Sequence, residues 1–342
     1  MPDAFLTLPA SGRREALAVA AAASGRPVHL LDKDVWLVWL LNVLFHSPFG
    51  GRLVFKGGSS LSKGYQAIGR FSEDVDLTYD IRALAPELPG SGLDPLPATR
   101  SQEKRWTKEI RARLPVWIGG QVLPRIAGAL AGQGLSAALS VEGEKLFFEY
   151  APVAAGPGYV RPVVTLEFGA RSTGEPWESR RIVCDAAANV AGVTFPSATA
   201  RVMRPERTFW EKATAIHVFC EQGEFRGSER FARHWHDLAG LDRTGWAEAA
   251  IADRALALAV AKHKSIFFAE RNPAGDRLRR SRVRRPAAGS RRPGPRESCQ
   301  GLRGNAGRRA VAGRRRTIRE PARPLPGSGG ARQSACLTAW AE

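Results

Sequence analysis

The chain has 342 residues and a formal net charge of +18, long enough for one large or two modest cores. Of that charge, +14 falls in residues 272–342, which hold eighteen Arg, no Lys and four acids, so the body is only mildly basic and its bulk charge does not mark it as a nucleic-acid binder. Four cysteines without CxxC spacing argue against a zinc site or a disulfide framework, and the longest apolar run, residues 35–45, is too short to cross a bilayer.

The first elements are helical. An Ala-rich helix is expected from about Arg13, then a turn at Gly25-Arg26-Pro27. Asp32 reads as the N-cap of a second helix ending near Phe45, with Asp34 in its first turn. Trp36, Leu37, Leu40, Leu41, Leu44 and Phe45 recur at spacings of three and four, so this helix faces the core. No signal peptide is read at the N-terminus, and a soluble, cytoplasmic protein with no membrane partner is expected.

Residues 52–79 carry the chemistry. A short apolar strand, 52–55, runs into Gly57 and Gly58, where backbone can approach a ligand closely. Ser59, Ser60 and Ser62 follow at the start of a helix, where free N–H groups point at an anion: a phosphate-binding arrangement. Asp74 and Asp76 alternate with apolar residues in a β-favouring run, so both carboxylates lie on one strand face. Two such charges call for a cation, and Mg²⁺ is the natural one, because it takes one or two carboxylates together with substrate phosphates.

The string FKGGSSLSKGYQAIGRFSEDVDL resembles the AbiEii/AbiGii toxin family, which includes the MenT toxins, within the DNA polymerase β-type nucleotidyltransferase superfamily. The resemblance extends upstream to about Leu31 through Asp34-Val35-Trp36. It implies an α+β fold: a small mixed sheet with helices, and a helical C-terminal part. It also implies Mg²⁺-dependent transfer of a nucleotide from a nucleoside triphosphate, with Gly57, Gly58 and Ser59 on the phosphates. Lys63 is then either a nearby cation or a helix-surface charge, and Arg70 either reaches a phosphate or pairs with Glu73.

Downstream, residues 82–99 read as a loop. Residues 101–114 read as an amphipathic helix that Pro115 ends, and 123–132 as another. Residues 145–150 and 160–168 read as strands, the second with Glu167 on its polar face. By resemblance, Glu167 is the third metal-binding carboxylate. Residues 196–204 read as a connector, and Pro205 opens a helix to about Cys220. Its string TFWEKATAIH resembles a second family motif, which assigns Lys212 to the triphosphate. Residues 228–241 read as a helix ended by Gly240, with Trp235 in its core stripe. There ARHWHDL resembles an element whose Asp, here Asp237, lies near the nucleotide. His234 and His236 lie nearly opposite one another on that helix and cannot share a zinc ion.

One more helix, 247–260, completes four segments: N-terminal helices 1–50, core 51–195, helical part 196–271, and residues 272–342. The last is read as a shifted reading frame of a GC-rich gene rather than a natural basic tail, which would use Lys as well. By resemblance the chain is a toxin in a toxin–antitoxin or phage-defence (abortive infection) pair, with an antitoxin encoded nearby and the tRNA 3′ end as acceptor. A small-molecule nucleotidyltransferase and a non-catalytic nucleic-acid-binding protein are the alternatives.

Overall fold

Residues 28–45 are so apolar that nearly every position is buried, and the sheet is built against them. The structure, a computed structural model, describes residues 3–71, 74–89, 96–156, 160–221 and 231–268. Two units divide the chain, 1–281 and 282–342, and every described residue belongs to the first. The reading of residues 272–342 therefore lies outside the described residues.

A short strand β1 (Asp3–Ala4) leads into α1 (Ala10–Ser24), α2 (Val28–Phe45), β2 (Leu53–Lys56), α3 (Gly57–Tyr65), β3 (Asp74–Tyr79) and the single turn α4 (Ile81–Leu84). Next come α5 (Arg100–Trp117), α6 (Leu123–Gly132), β4 (Ala137–Glu142), β5 (Lys145–Tyr150), β6 (Val163–Gly169), β7 (Trp177–Val183), β8 (Val193–Thr194) and β9 (Ser197–Met203). Helices α7 (Pro205–Glu221), α8 (Ala232–Arg243), α9 (Trp246–Ala252) and α10 (Arg254–Phe267) follow.

The fold is α+β. Its main sheet has seven strands in the order β4-β5-β6-β3-β2-β9-β7. The pairing is mixed: β3–β6 and β2–β9 are parallel, the other pairs antiparallel. Alternation along the strands separates two faces. Phe55, Val75, Leu77, Phe148 and Leu166 join Trp36, Trp39 and Leu40 of α2 in one buried cluster. The opposite face carries Lys56, Asp74, Asp76, Lys145 and Glu167. A second cluster, with Leu61, Ile68, Phe209, Ala213 and Leu241, ties α3 to α7, α8 and α9.

Several expectations are corrected. α2 begins at Val28 behind Pro27, so Asp32 is no cap; it is buried inside the helix and accepts from the Val153 amide at 3.0 Å. Pro115 does not end α5. Leu114, Ile118, Val122 and Ile126 continue one fully buried stripe across it into α6, and at about 1.5–3 kcal/mol per buried aliphatic side chain that burial outweighs the roughly 3 kcal/mol cost of an internal proline.

The supposed connector 196–204 contains β9, a strand between β2 and the edge strand β7. Two of its four buried residues are Ala198 and Ala200, which have little strand preference of their own. Gly240 lies within α8 rather than after it, because Ile68 and the Ala67 carbonyl approach so closely that a Cβ would lie 2.6 and 2.8 Å from them. Trp235 is 39% exposed and outside the core. Residues 247–260 span two helices, separated at Asp253, whose carboxylate caps α10 at the Leu256 amide.

Candidate active site

A row of charge crosses four strands. Lys56 on β2 is opposite Asp76 on β3, Asp76 is beside Glu167 on β6, and Glu167 is opposite Lys145 on β5. Register partners point to the same face, with strands about 4.8 Å apart. Asp74 stands two residues along β3 on that face. Burial pushes the Asp76 carboxyl up; Lys56 and Lys212 oppose the shift, Glu167 and Asp74 add to it, and the net is a raised pKa. Burial, rather than the neighbouring charges, is the largest cause of that rise.

The glycine turn is shaped to that carboxylate. Gly57 has φ +76°, and a Cβ there would lie 2.0 Å from Asp76 Oδ2. Gly58 is buried in the first turn of α3, so the turn delivers the helix N-terminus beside Asp76. The Ser59 and Ser60 hydroxyls are already used: Ser59 donates to the Asp74 carbonyl and Ser60 to the Gly57 carbonyl. The Ser59 bond ties α3 to β3 and the Ser60 bond stays within the first turn of α3, which leaves the helix N–H groups, rather than these hydroxyls, for an anion.

From the helical side, Asp237 gathers two cations. It is fully buried, receives Arg70 through Nε at 2.6 Å and Nη2 at 2.7 Å, and pairs with Lys212 Nζ at 2.8 Å. Burial raises the Asp237 carboxyl, but Arg70 and Lys212 outweigh it and hold it below the usual range. Arg70 thus pairs with Asp237. Lys212 is 8% exposed and near enough to Asp76 to lower that carboxyl. Arg70 Nη1 and His234 Nδ1 are buried without a hydrogen-bond partner, so the site keeps polar capacity to spare.

Two participants escaped the sequence reading. Glu211, beside Lys212, lies against Arg207 at 3.5 Å and Lys264 at 3.7 Å. Burial pushes its carboxyl up, but Lys264, Lys56, Arg207 and His263 overcome this and hold it well below the usual range. Lys56 therefore faces both Asp76 and Glu211. The only local signals were a Lys at a strand end and a Glu next to the motif Lys, neither distinctive by itself.

Lys63 is a correction. It reaches Asp34 Oδ1 at 2.6 Å and Asp185 Oδ1 at 2.8 Å, with 7% of its side chain exposed. Burial lowers the Lys63 pKa, and the two carboxylates more than reverse that, so it stays charged as a strut between α3 and α2. Its ammonium is held by Asp34 and Asp185, away from the charged row on the sheet. The remaining sequence-selected residues, Gly57, Gly58, Ser59, Arg70, Asp74, Asp76, Glu167, Lys212 and Asp237, come together around the N-terminus of α3 and the charged row.

Among the described residues, no three His, Cys, Asp or Glu side chains converge closely enough to enclose a metal ion as they stand. Lys145 draws Glu167 into an ion pair. Asp74 and Asp76 are two hard oxygen donors one residue apart on β3, a set that fits Mg²⁺ when phosphate oxygens and water complete its shell.

A family model described as the nucleotidyl transferase AbiEii toxin of type IV toxin–antitoxin systems matches residues 39–299. The chain belongs to this family. The AbiEii match takes in all seven strands of the main sheet and continues past residue 271 into the segment read as a shifted reading frame. Among solved structures, the chain is similar to MenT4, a nucleotidyltransferase toxin from Mycobacterium tuberculosis H37Rv, at 22% identity and a TM-score of 0.34. That similarity covers 58% of this chain and 58% of the MenT4 chain. No curated protein matches. As an AbiEii member, the chain belongs to a family of nucleotidyl transferase toxins.

Two histidines at the site's border predict a pH dependence. His234 is lowered to about 4 by burial and by Lys212; burial likewise lowers His263 to about 4, and its Nε2 donates to the Arg171 carbonyl at 2.8 Å. Unfolded histidine takes up a proton near 6.5. Between about pH 4 and 6.5 the unfolded chain therefore binds more protons, and stability falls as pH is lowered through that window. Thermal unfolding from pH 7 to 4.5 is expected to show the fall, with up to about 3 kcal/mol from buried His263. His263→Gln flattens the profile; an unchanged profile refutes the assignment.

Proposed function

We propose that this AbiEii-family chain is the toxin of a toxin–antitoxin pair and transfers a nucleotidyl group from a nucleoside triphosphate to an RNA hydroxyl, with the tRNA 3′ end as acceptor. The observation that carries this reading is the packing of Gly57 against Asp76, which sets the N-terminus of α3 beside two carboxylates on one strand face. Anion-seeking N–H groups adjoin cation-seeking oxygens there, as a triphosphate bound through Mg²⁺ requires.

In this mechanism the acceptor oxygen bonds to the α-phosphorus, the bond to the β-phosphate breaks, and pyrophosphate leaves. The α3 amides hold the phosphates. Lys212, fixed by Asp237, faces the charge that develops on the leaving group. Asp74 and Asp76 would hold Mg²⁺, which supplies charge neutralisation and a more acidic attacking hydroxyl. Glu167, once Lys145 releases it, is the carboxylate placed to take the hydroxyl proton. A cognate antitoxin restrains the activity, and its release arrests growth in phage defence. The reaction needs no membrane, and no described helix is long and apolar enough to cross one.

The test incubates each α-³²P-labelled nucleoside triphosphate with total tRNA and Mg²⁺, using the intact chain and Asp74→Ala. Label is expected on RNA from at least one nucleotide with the intact chain, and a loss of about a hundredfold or more with Asp74→Ala. A folded chain that labels no RNA rejects the acceptor; labelling indifferent to Asp74 rejects the site.

A further inference from the structure

The sheet face that carries the carboxylates continues past Lys56 to the β7 edge, where its character changes. The charged row extends in register from Lys56 to Met203 on β9 and Trp177 on β7. Trp177 is thus three strand spacings, about 14 Å, from Asp76 on the same face. Its indole is 36% exposed. Against it lies Arg201, with its guanidinium carbon 4.6 Å from the ring centroid and Gly51 close on another side.

Arg201 makes no hydrogen bond or ion pair among the described residues, so all five of its N–H donors are uncommitted. A cleft of about 100 Å³ opens beside the pair, lined in part by Arg52, Arg82 and Glu175. Arg82 is spent on Asp80 and Glu175, whereas Arg52 is 60% exposed and touches Asp80 only at 3.7 Å. Arg181, exposed and without an ion pair among the described residues, shares the face. Unspent positive charge therefore surrounds an open aromatic surface.

We infer that Trp177 and Arg201 form a second nucleotide subsite, on which a base of a single-stranded RNA acceptor stacks while Arg52 and Arg181 hold its phosphates. This deepens the nucleotidyl-transfer reading and rests on it for what the bound strand is. Arginines alone would serve an acidic peptide equally well. An exposed indole face already carrying a guanidinium is the stacking platform that single-stranded nucleic acids use. It lies close enough to the carboxylate row for one short strand to occupy both.

The test is fluorescence anisotropy of a short labelled oligouridylate with the full chain across a salt series. Trp177→Ala is expected to weaken binding by about tenfold or more with an unchanged salt slope, and Trp177→Phe to retain most of it. Arg52→Ala and Arg181→Ala are each expected to lower the slope of log affinity against log salt by about 0.7. Residues 272–342 add sequence-independent charge, so 4-thiouridine crosslinking locates the strand, with the Trp177 peptide as the expected product. Wild-type affinity in Trp177→Ala, or crosslinks confined to other peptides, overturns the inference. Asp74→Ala, which loses label transfer, keeps this binding, so failure of the subsite and failure of the chemistry are read separately.

Discussion

Asp237→Ala is expected to destabilise the protein by about 3–5 kcal/mol, the cost of leaving buried charges without their partner. The carboxylate is wholly buried and satisfies both Arg70 and Lys212. Its removal strands two cations that water cannot reach freely. The urea midpoint falls accordingly, and Asp237→Asn, which keeps the shape and one acceptor oxygen, lies between the variant and the native chain. Label transfer falls in both, because Lys212 and Arg70 lose the group that aims them. By contrast, Arg180→Ala, which breaks a half-exposed pair with Glu178 and removes the guanidinium from the Tyr65 ring, is expected to cost no more than about 2 kcal/mol. Equal effects at the two positions would contradict the account of Asp237 as the anchor between helices and sheet.

Gly57→Ala carries the second large effect, and here chemistry suffers more than stability. At φ +76° any side chain is strained, and the added methyl would occupy the position of Asp76 Oδ2 at 2.0 Å. One of the two must move by about an ångström, a misplacement that costs a catalytic site about a hundredfold. The backbone strain adds about 1–3 kcal/mol of destabilisation. Gly69→Ala is the matched control, since its Cβ meets nothing within 4 Å; it should leave label transfer within twofold or so, surface substitutions of this kind being nearly neutral. Full activity in Gly57→Ala would mean that Asp76 does not need its present position.

What could be read from the sequence was what local periodicity encodes. The run from Phe55 to Asp76 announces itself through an apolar strand, two glycines and alternating carboxylates. α6 and β5 were legible at the residue level for the same reason. β9 was not, because Ala198 and Ala200 are buried by neighbours that arrive from residues 53–56 and 177–183. Lys63 read either as a cation near the phosphates or as a helix-surface charge, because only the glycine turn six residues before it is local; its partners, Asp34 and Asp185, are 29 and 122 residues away in sequence. Arg70 and Asp237 were each noticed, but a separation of 167 residues hid their pairing. Glu211 and Lys56 became visible only when α7 was laid over the sheet.

The charged row itself is tested most directly by Mn²⁺ binding, followed by electron paramagnetic resonance with and without a nucleoside triphosphate, on the intact chain and on Asp74→Asn/Asp76→Asn. The account predicts that the intact chain binds Mn²⁺, more tightly when the triphosphate supplies oxygens, and that the double variant loses at least about tenfold in affinity while remaining folded. Equal Mn²⁺ binding by the two proteins would contradict the assignment of these carboxylates as the cation site.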